Sequence, residues 1–119
     1  MSYVDGYVLP VPRKNLAAYR RMAKDAGKVW MKAGALQYVE TVADDVDVGK
    51  RTSFPRSVKL KRDETVIFSW IEYKSRAHRD RVNAKVIKDK RFAHTNDPST
   101  STFDGRRLIY GGFSLLEEV

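Results

Sequence analysis

Hydrophobic and polar positions along this chain alternate between a two-residue and a three-to-four-residue rhythm. The clearest run of the first kind is Thr65–Tyr73, TVIFSWIEY. Side chains alternate across a strand, so Val66, Phe68 and Trp70 point one way while Ile67, Ile71 and Tyr73 point the other. A strand apolar on both sides needs cover on both sides. Tyr3–Val11 reads as an earlier strand closed by the Pro10 and Pro12 punctuation. The second rhythm follows it. Leu16, Tyr19, Ala23, Ala26, Trp30 and Ala33 recur at three- and four-residue steps, the stripe of an amphipathic helix. Asn15 is placed to cap its start, and Gly34 stands where a left-handed residue ends a helix.

Ala35–Val42 returns to strand alternation, with Leu36, Tyr38, Glu40 and Val42 on one face. Residues 43–64 carry the weakest signal. Asp44, Asp45, Asp47 and Gly49 make an acidic turn. Ser53-Phe54-Pro55 can open a short helix, since proline is tolerated in a first turn, and a short strand at Ser57–Lys61 is the competing reading. After Thr65–Tyr73, Ser75 is placed to cap a second helix reaching about Lys88–Lys90, with Val82, Val86 and Ile87 on its inward arc. Asp97–Gly105 is a polar loop of turn formers, and Arg107–Phe113 is the last strand.

The order is therefore βαββαβ, the ferredoxin-like arrangement: an α+β fold with an antiparallel sheet and both helices on one face. Two helices cover one side of such a sheet. The other side needs a partner, and a second copy of the chain meets the requirement. Phe68, Trp70 and Glu72, bulky and partly polar, are expected on the open face, with Ile67, Ser69 and Ile71 beneath the helices. By similar reasoning Asp5, Tyr7, Tyr38, Glu40 and Tyr110 are expected to join the open-face set.

Length and composition narrow the class. The 119 residues suit one domain, 1–119, able to bury roughly two-thirds of its unfolded surface. Hydrophobic content of 42% with 32% charged residues is that of a globular protein rather than a disordered one. No apolar run approaches the ~20 residues a membrane helix needs, and MSYVDGYVLP lacks the basic head and apolar core of a signal peptide. Those two absences lead to the expectation of a cytoplasmic location, which the lack of cysteine fits; without cysteine, disulfides, thiolate metal sites and a cysteine nucleophile are excluded. The net charge of +8 favours polyanions non-specifically, but the basic residues are scattered. Arg20, Lys24, Lys28 and Lys32 form one ordered group, a row at four-residue spacing on the first helix, where like charges cost a few tenths of a kcal/mol per pair.

Three carboxylates, Asp5, Glu40 and Glu72, lie within strands rather than turns, where burial perturbs their ionisation and marks candidate sites; salt bridges at strand ends are the structural alternative. Arg79 and Asn83 project into the inward arc of the second helix and require acceptors, one of which a strand acid can supply. His78 and His94 are the only histidines; surface positions are the default, general-base roles the alternative. Nothing matches a G-x-S-x-G elbow, a phosphate loop or a calcium loop: Arg56 occupies the position eleven after Asp45 where the bidentate glutamate belongs. No metal or cofactor is expected. Gly111-Gly112 within a strand marks a bulge or a close approach that makes room for a ligand or bends an edge.

Three segments carry a family likeness: Tyr3-Val4-Asp5-Gly6, Phe68-Ser69-Trp70-Ile71, and Phe103-Asp104-Gly105-Arg106-Arg107 running on to Ile109-Tyr110-Gly111-Gly112-Phe113. With Gly34-Ala35-Leu36 and Arg79–Asn83 in the same order, the chain resembles the YbaA-like family of small, uncharacterised bacterial proteins. The resemblance implies the dimeric α+β barrel class, in which two ferredoxin-like sheets pack face to face. That class includes cofactor-independent monooxygenases, haem-degrading enzymes and stress-responsive proteins. It transfers no catalytic residue.

The expectation is thus a homodimer that binds a small aromatic or cationic molecule, in a cavity between sheet and helices or between two sheets. Asp5, Tyr7, Tyr38 and Glu40 are candidate lining residues, with Phe68, Trp70, Glu72 and Tyr110 beside them; any chemistry would be cofactor-free, with an acid of raised pKa as base. The rival is a nucleic-acid binder that stacks bases on Tyr7, Phe68 and Trp70, as RNA-recognition modules of the same element order do, although their aromatic signature is missing.

Overall fold

The computed structural model describes residues 2–95 and 101–119, and for residues 93–95 the backbone alone. Four strands, β1 (Tyr3–Pro12), β2 (Gln37–Val42), β3 (Glu64–Tyr73) and β4 (Ile109–Ser114), form one sheet in the order β2-β3-β1-β4. All three pairings are antiparallel. Helices α1 (Leu16–Ala33) and α3 (Arg76–Lys88) make the two crossovers, which completes the ferredoxin-like α+β fold expected from the pattern. A short α2 (Phe54–Ser57) and an α4 (Lys90–Thr95) complete the α-helices among the described residues.

Ends are set by local chemistry. Gly34 adopts φ 118°, and its N–H reaches the Met31 carbonyl, closing α1 in a conformation side chains disfavour. Ser75 Oγ accepts from the His78 N–H at 3.1 Å, so the expected cap of α3 forms. The expected Asn15 cap does not: its side chain donates to the Thr102 carbonyl at 3.1 Å, and a 3-10 turn over Arg13–Asn15 leads into α1 instead. Between the competing readings of residues 53–61, the helix forms, with Ser53 Oγ accepting from the Arg56 N–H; no strand forms at Ser57–Lys61. The expected second helix ends at Lys88, within its expected bounds, and a further short helix, α4, follows Asp89, an element the sequence did not announce. Residues 96–100 of the expected polar loop lie outside the described residues.

Odd-numbered residues of β1 and β3 face the helices. Tyr3, Leu9, Val11, Ile67, Ile71 and Tyr73 are all buried there against Tyr19, Ala23, Val29, Val82 and Val86. Ile87, expected on the inward arc of α3, is exposed: Val82 and Val86 lie four apart on one face, and Ile87 is turned away from it. The opposite sheet face carries Val4, Val8, Phe68, Trp70, Ile109 and Phe113. Phe54 of α2 packs edge-on against Phe68 with centroids 5.7 Å apart, but Phe68, Ile109 and Phe113 remain exposed. No helix among the described residues is long and apolar enough to cross a membrane.

Candidate functional site

A hollow of about 250 Å³ lies between the sheet and helices α1 and α4. Its walls are mostly apolar: Leu9 and Ile71 from the sheet, Met22, Ala26 and Trp30 from α1, Phe92 from α4. Trp30 meets Phe92 edge-on at 5.7 Å and lies 6.0 Å from the Tyr38 ring. Small residues on α1 let the helix lie close to the sheet. Gly27 is the most constrained of them, because a Cβ there would lie 2.9 Å from Tyr38 Cδ1; glycine lets the tyrosine ring lie directly under the helix.

One carboxylate sits in this apolar wall. Tyr19 donates to Glu40 Oε1 at 2.7 Å and Tyr38 donates to Glu40 Oε2 at 2.8 Å. Burial pushes the Glu40 carboxyl above its ordinary range, against the hydrogen bonds from Tyr19, Tyr38 and Ser69 that favour its charged form. Burial also raises both tyrosines, and the neighbouring Glu40 charge adds to it, so the phenols stay protonated donors. Each carboxylate oxygen accepts more than one hydrogen bond, so Glu40 retains acceptor capacity toward the hollow. A buried carboxylate of raised pKa in an apolar pocket is suited to accept a proton or orient a polar group.

A second polar group closes the far end of the same face. Asp5 is 2% exposed and accepts from Arg79 Nη1 at 2.7 Å, the tie expected between α3 and a strand acid. Burial raises Asp5 and outweighs the attraction of Arg79. Arg79 also lies over the Tyr3 ring, 5.1 Å from its centroid. Asn83 Oδ1 accepts from Trp30 Nε1 at 3.2 Å and from the Tyr73 hydroxyl at 3.3 Å. These bonds engage Arg79 and the Asn83 side-chain oxygen within the protein, linking α3 to the sheet and to α1.

The register corrects the expected face assignments. Phe68, Trp70 and Glu72 occupy the open face, where Trp70 Nε1 donates to Gln37 and Glu72 accepts from Ser2. Asp5, Tyr7, Tyr38, Glu40 and Tyr110 do not join them. Asp5 pairs with Ile71 and Tyr7 with Ser69; Tyr38 pairs with Ile71, Glu40 with Ser69, and Tyr110 with Tyr7, which places all five on the helix side. The cause is parity: Leu9 and Val11 must be buried beneath α1, and a strand cannot turn Asp5 and Tyr7 outward without turning those two out as well. Tyr110 stacks on Tyr7 at 5.9 Å and remains largely exposed at the sheet edge. The ten candidates thus divide. Glu40, Tyr38 and Tyr7 line the hollow, Asp5 and Arg79 form the tie, Asn83 bonds Trp30 and Tyr73, Tyr110 stands at the sheet edge, and Phe68, Glu72 and the Trp70 indole face away. The RNA-type platform is not formed, since Tyr7 is on the face opposite Phe68 and Trp70.

Other expectations resolve into packing. Gly112 makes room for Tyr3, whose Cζ would lie 2.8 Å from a Cβ there, so the close approach serves a core tyrosine. His78 Nδ1 accepts from the Lys74 N–H at 2.9 Å and packs its ring on Tyr73. The side chain of His94 lies outside the described residues. Sequence reasoning missed Tyr19 and Ser69 as site residues. Tyr19 was legible as part of the α1 stripe, and a buried phenol needs an acceptor; Glu40 is the one it finds.

Taken together, a four-stranded antiparallel sheet with its two crossover helices on one face defines an α+β ferredoxin-like protein. Residues 2–105 match the family described as "Protein of unknown function (DUF1428)", and the chain belongs to that family. It is 45% identical to the uncharacterized protein YbaA of Escherichia coli strain K12 over 119 residues, covering 99% of this chain and 100% of the relative, so the YbaA-like resemblance holds along the full length. Among solved structures, a dimeric ferredoxin-like protein from an uncultured marine organism superposes with a TM-score of 0.61 at 13% identity, covering 100% of both chains. SnoaB, a cofactor-independent oxygenase from Streptomyces nogalater, superposes with a TM-score of 0.56 at 9% identity, covering 99% of this chain and 96% of that one. At such identities these two likenesses establish the fold.

Proposed function

We propose that this chain is a cytoplasmic, homodimeric small-molecule-binding protein whose ligand occupies the hollow beneath α1, with Glu40 as its polar anchor and cofactor-independent proton acceptor. The observation that carries this reading is the Tyr19–Glu40–Tyr38 cluster in the wall of an otherwise apolar hollow. Folding leaves a carboxylate in such surroundings only against its desolvation, and a bound polar group gives that position a use. Apolar walls supply affinity by area, and one fixed acceptor supplies orientation. The fold-level likeness to a cofactor-independent oxygenase agrees with this site but assigns no reaction to it.

Self-association belongs to the same reading. The uncovered face carries Phe68, Ile109 and Phe113 exposed beside Trp70, an apolar patch of the kind that marks an interface. The solved neighbour described as dimeric supports a second copy as its cover.

The test uses N-phenyl-1-naphthylamine, a neutral aromatic probe that fluoresces on entering an apolar site. Wild-type protein should bind it saturably, and Ala26→Leu, which fills the hollow from α1, should abolish the signal while circular dichroism shows the fold intact. Equal binding by folded Ala26→Leu would place the probe elsewhere and defeat the proposal.

A further inference from the structure

The cationic row on α1 has a geometric counterpart in the fold. A groove of about 840 Å³ runs between α1 and the edge strand β2. Its apolar floor includes Leu16, Ala23, Met31 and Val42, and its outer wall carries Arg20, Lys24 and Lys28. Among the described residues, no carboxylate lies within salt-bridge distance of these three cations. Tyr19, Tyr38 and Glu40 line both this groove and the inner hollow, so the phenol–carboxylate cluster is the junction of the two.

Resting on the small-molecule reading above, we infer that the ligand is a small aromatic anion. Its aryl body occupies the hollow at the Tyr19–Glu40–Tyr38 junction, and its acidic group extends into the groove, where Arg20, Lys24 and Lys28 hold it at the rim. Two electrostatic facts set this polarity. Three like charges at four-residue spacing repel one another and gain from an anion laid beside them. At the inner end, the carboxylate of Glu40 repels a second anion and accepts from a hydroxyl or another proton donor on the ligand. The anion therefore belongs outside and the donor inside. Rim cations on flexible stems in water also draw an anionic ligand to the groove, an attraction that salt screens.

The experiment compares two probes that share an aryl-naphthylamine body: 8-anilinonaphthalene-1-sulfonate, which carries an anion, and N-phenyl-1-naphthylamine, which does not. Wild-type protein should bind the sulfonate more tightly, with an affinity that falls as salt is raised. The triple variant Arg20→Gln, Lys24→Gln, Lys28→Gln alters exposed side chains only; it should weaken the sulfonate by about tenfold and leave the neutral probe unchanged. Arg81→Gln, Lys85→Gln, Lys88→Gln on α3, an equal loss of net charge away from the groove, should change neither. Neutral-probe binding with no preference for the sulfonate, or equal weakening by both triple variants, would overturn this inference and leave the hollow as a site. Failure of wild-type protein to bind either probe would overturn both. Displacement of the sulfonate by single-stranded RNA but not by excess benzoate would make the row a polyanion surface and also defeat the inference.

Discussion

Glu40 concentrates the residue-scale physics. Its folded-state pKa is raised by burial, so between the unfolded value of 4.5 and the folded one the native protein binds more protons than the unfolded chain. Stability from this group is therefore fully present below the unfolded pKa and lost as pH rises through the folded pKa. Glu40→Gln keeps an acceptor for the phenols and removes the titration. Denaturation of both proteins across pH should show the variant gaining on the wild type as pH rises; a gap that widens on acidification would contradict the burial account. Asp5 shifts in the same direction but cancels in this comparison, because both proteins contain it. The sequence showed that strand acids were unusual. It did not show their side, because Asp5 and Glu40 look like open-face residues until the parity of Leu9 and Val11 is given precedence.

Element boundaries record which local signals are self-sufficient. Gly34 and Ser75 worked as expected because left-handed backbone and an N-terminal hydroxyl cap need nothing from elsewhere in the fold. Asn15 failed because a distant carbonyl, that of Thr102, competed for its side chain. Segment 43–64 was hard to read for a similar reason. Arg107, far along the chain, donates to both Glu64 oxygens at 2.7 and 2.6 Å and to the carbonyls of Val58 and Lys59, fixing the approach to β3. Those bonds hold the Glu64 carboxyl below its ordinary range. Gly27 offers the element-scale prediction. Alanine at an open helix position gains about 1 kcal/mol over glycine, but here its Cβ meets the Tyr38 ring at 2.9 Å. Gly27→Ala should instead lose about 1 kcal/mol in urea denaturation and weaken neutral-probe binding, since overpacking displaces Tyr38 from Glu40. A stabilised variant with unchanged binding would show that the ring moves freely.

For the whole molecule, the two-sided apolar pattern of β3 was the informative signal, and it fixed the need for cover before any helix was placed. One side is met within the chain by α1 and α3. The other exposes Phe113 and Ile109 on β4 beside Phe68 on β3. Stable pairing calls for about 800 Å² per partner, which one face of a four-stranded sheet can offer. Phe113→Asp should therefore convert a particle of two chains into one of a single chain in light scattering at micromolar concentration. Wild-type protein already single under those conditions would remove the dimer from the account.

The two tryptophans stand on opposite sides of the sheet, with Trp30 in the hollow and the Trp70 indole on the open face. Each gives one indole N–H signal in a proton–nitrogen correlation spectrum, assignable with Trp30→Phe and Trp70→Phe. Titration with N-phenyl-1-naphthylamine should move the Trp30 signal and leave that of Trp70 in place. Movement of Trp70 alone, or of neither, would contradict a ligand site beneath α1.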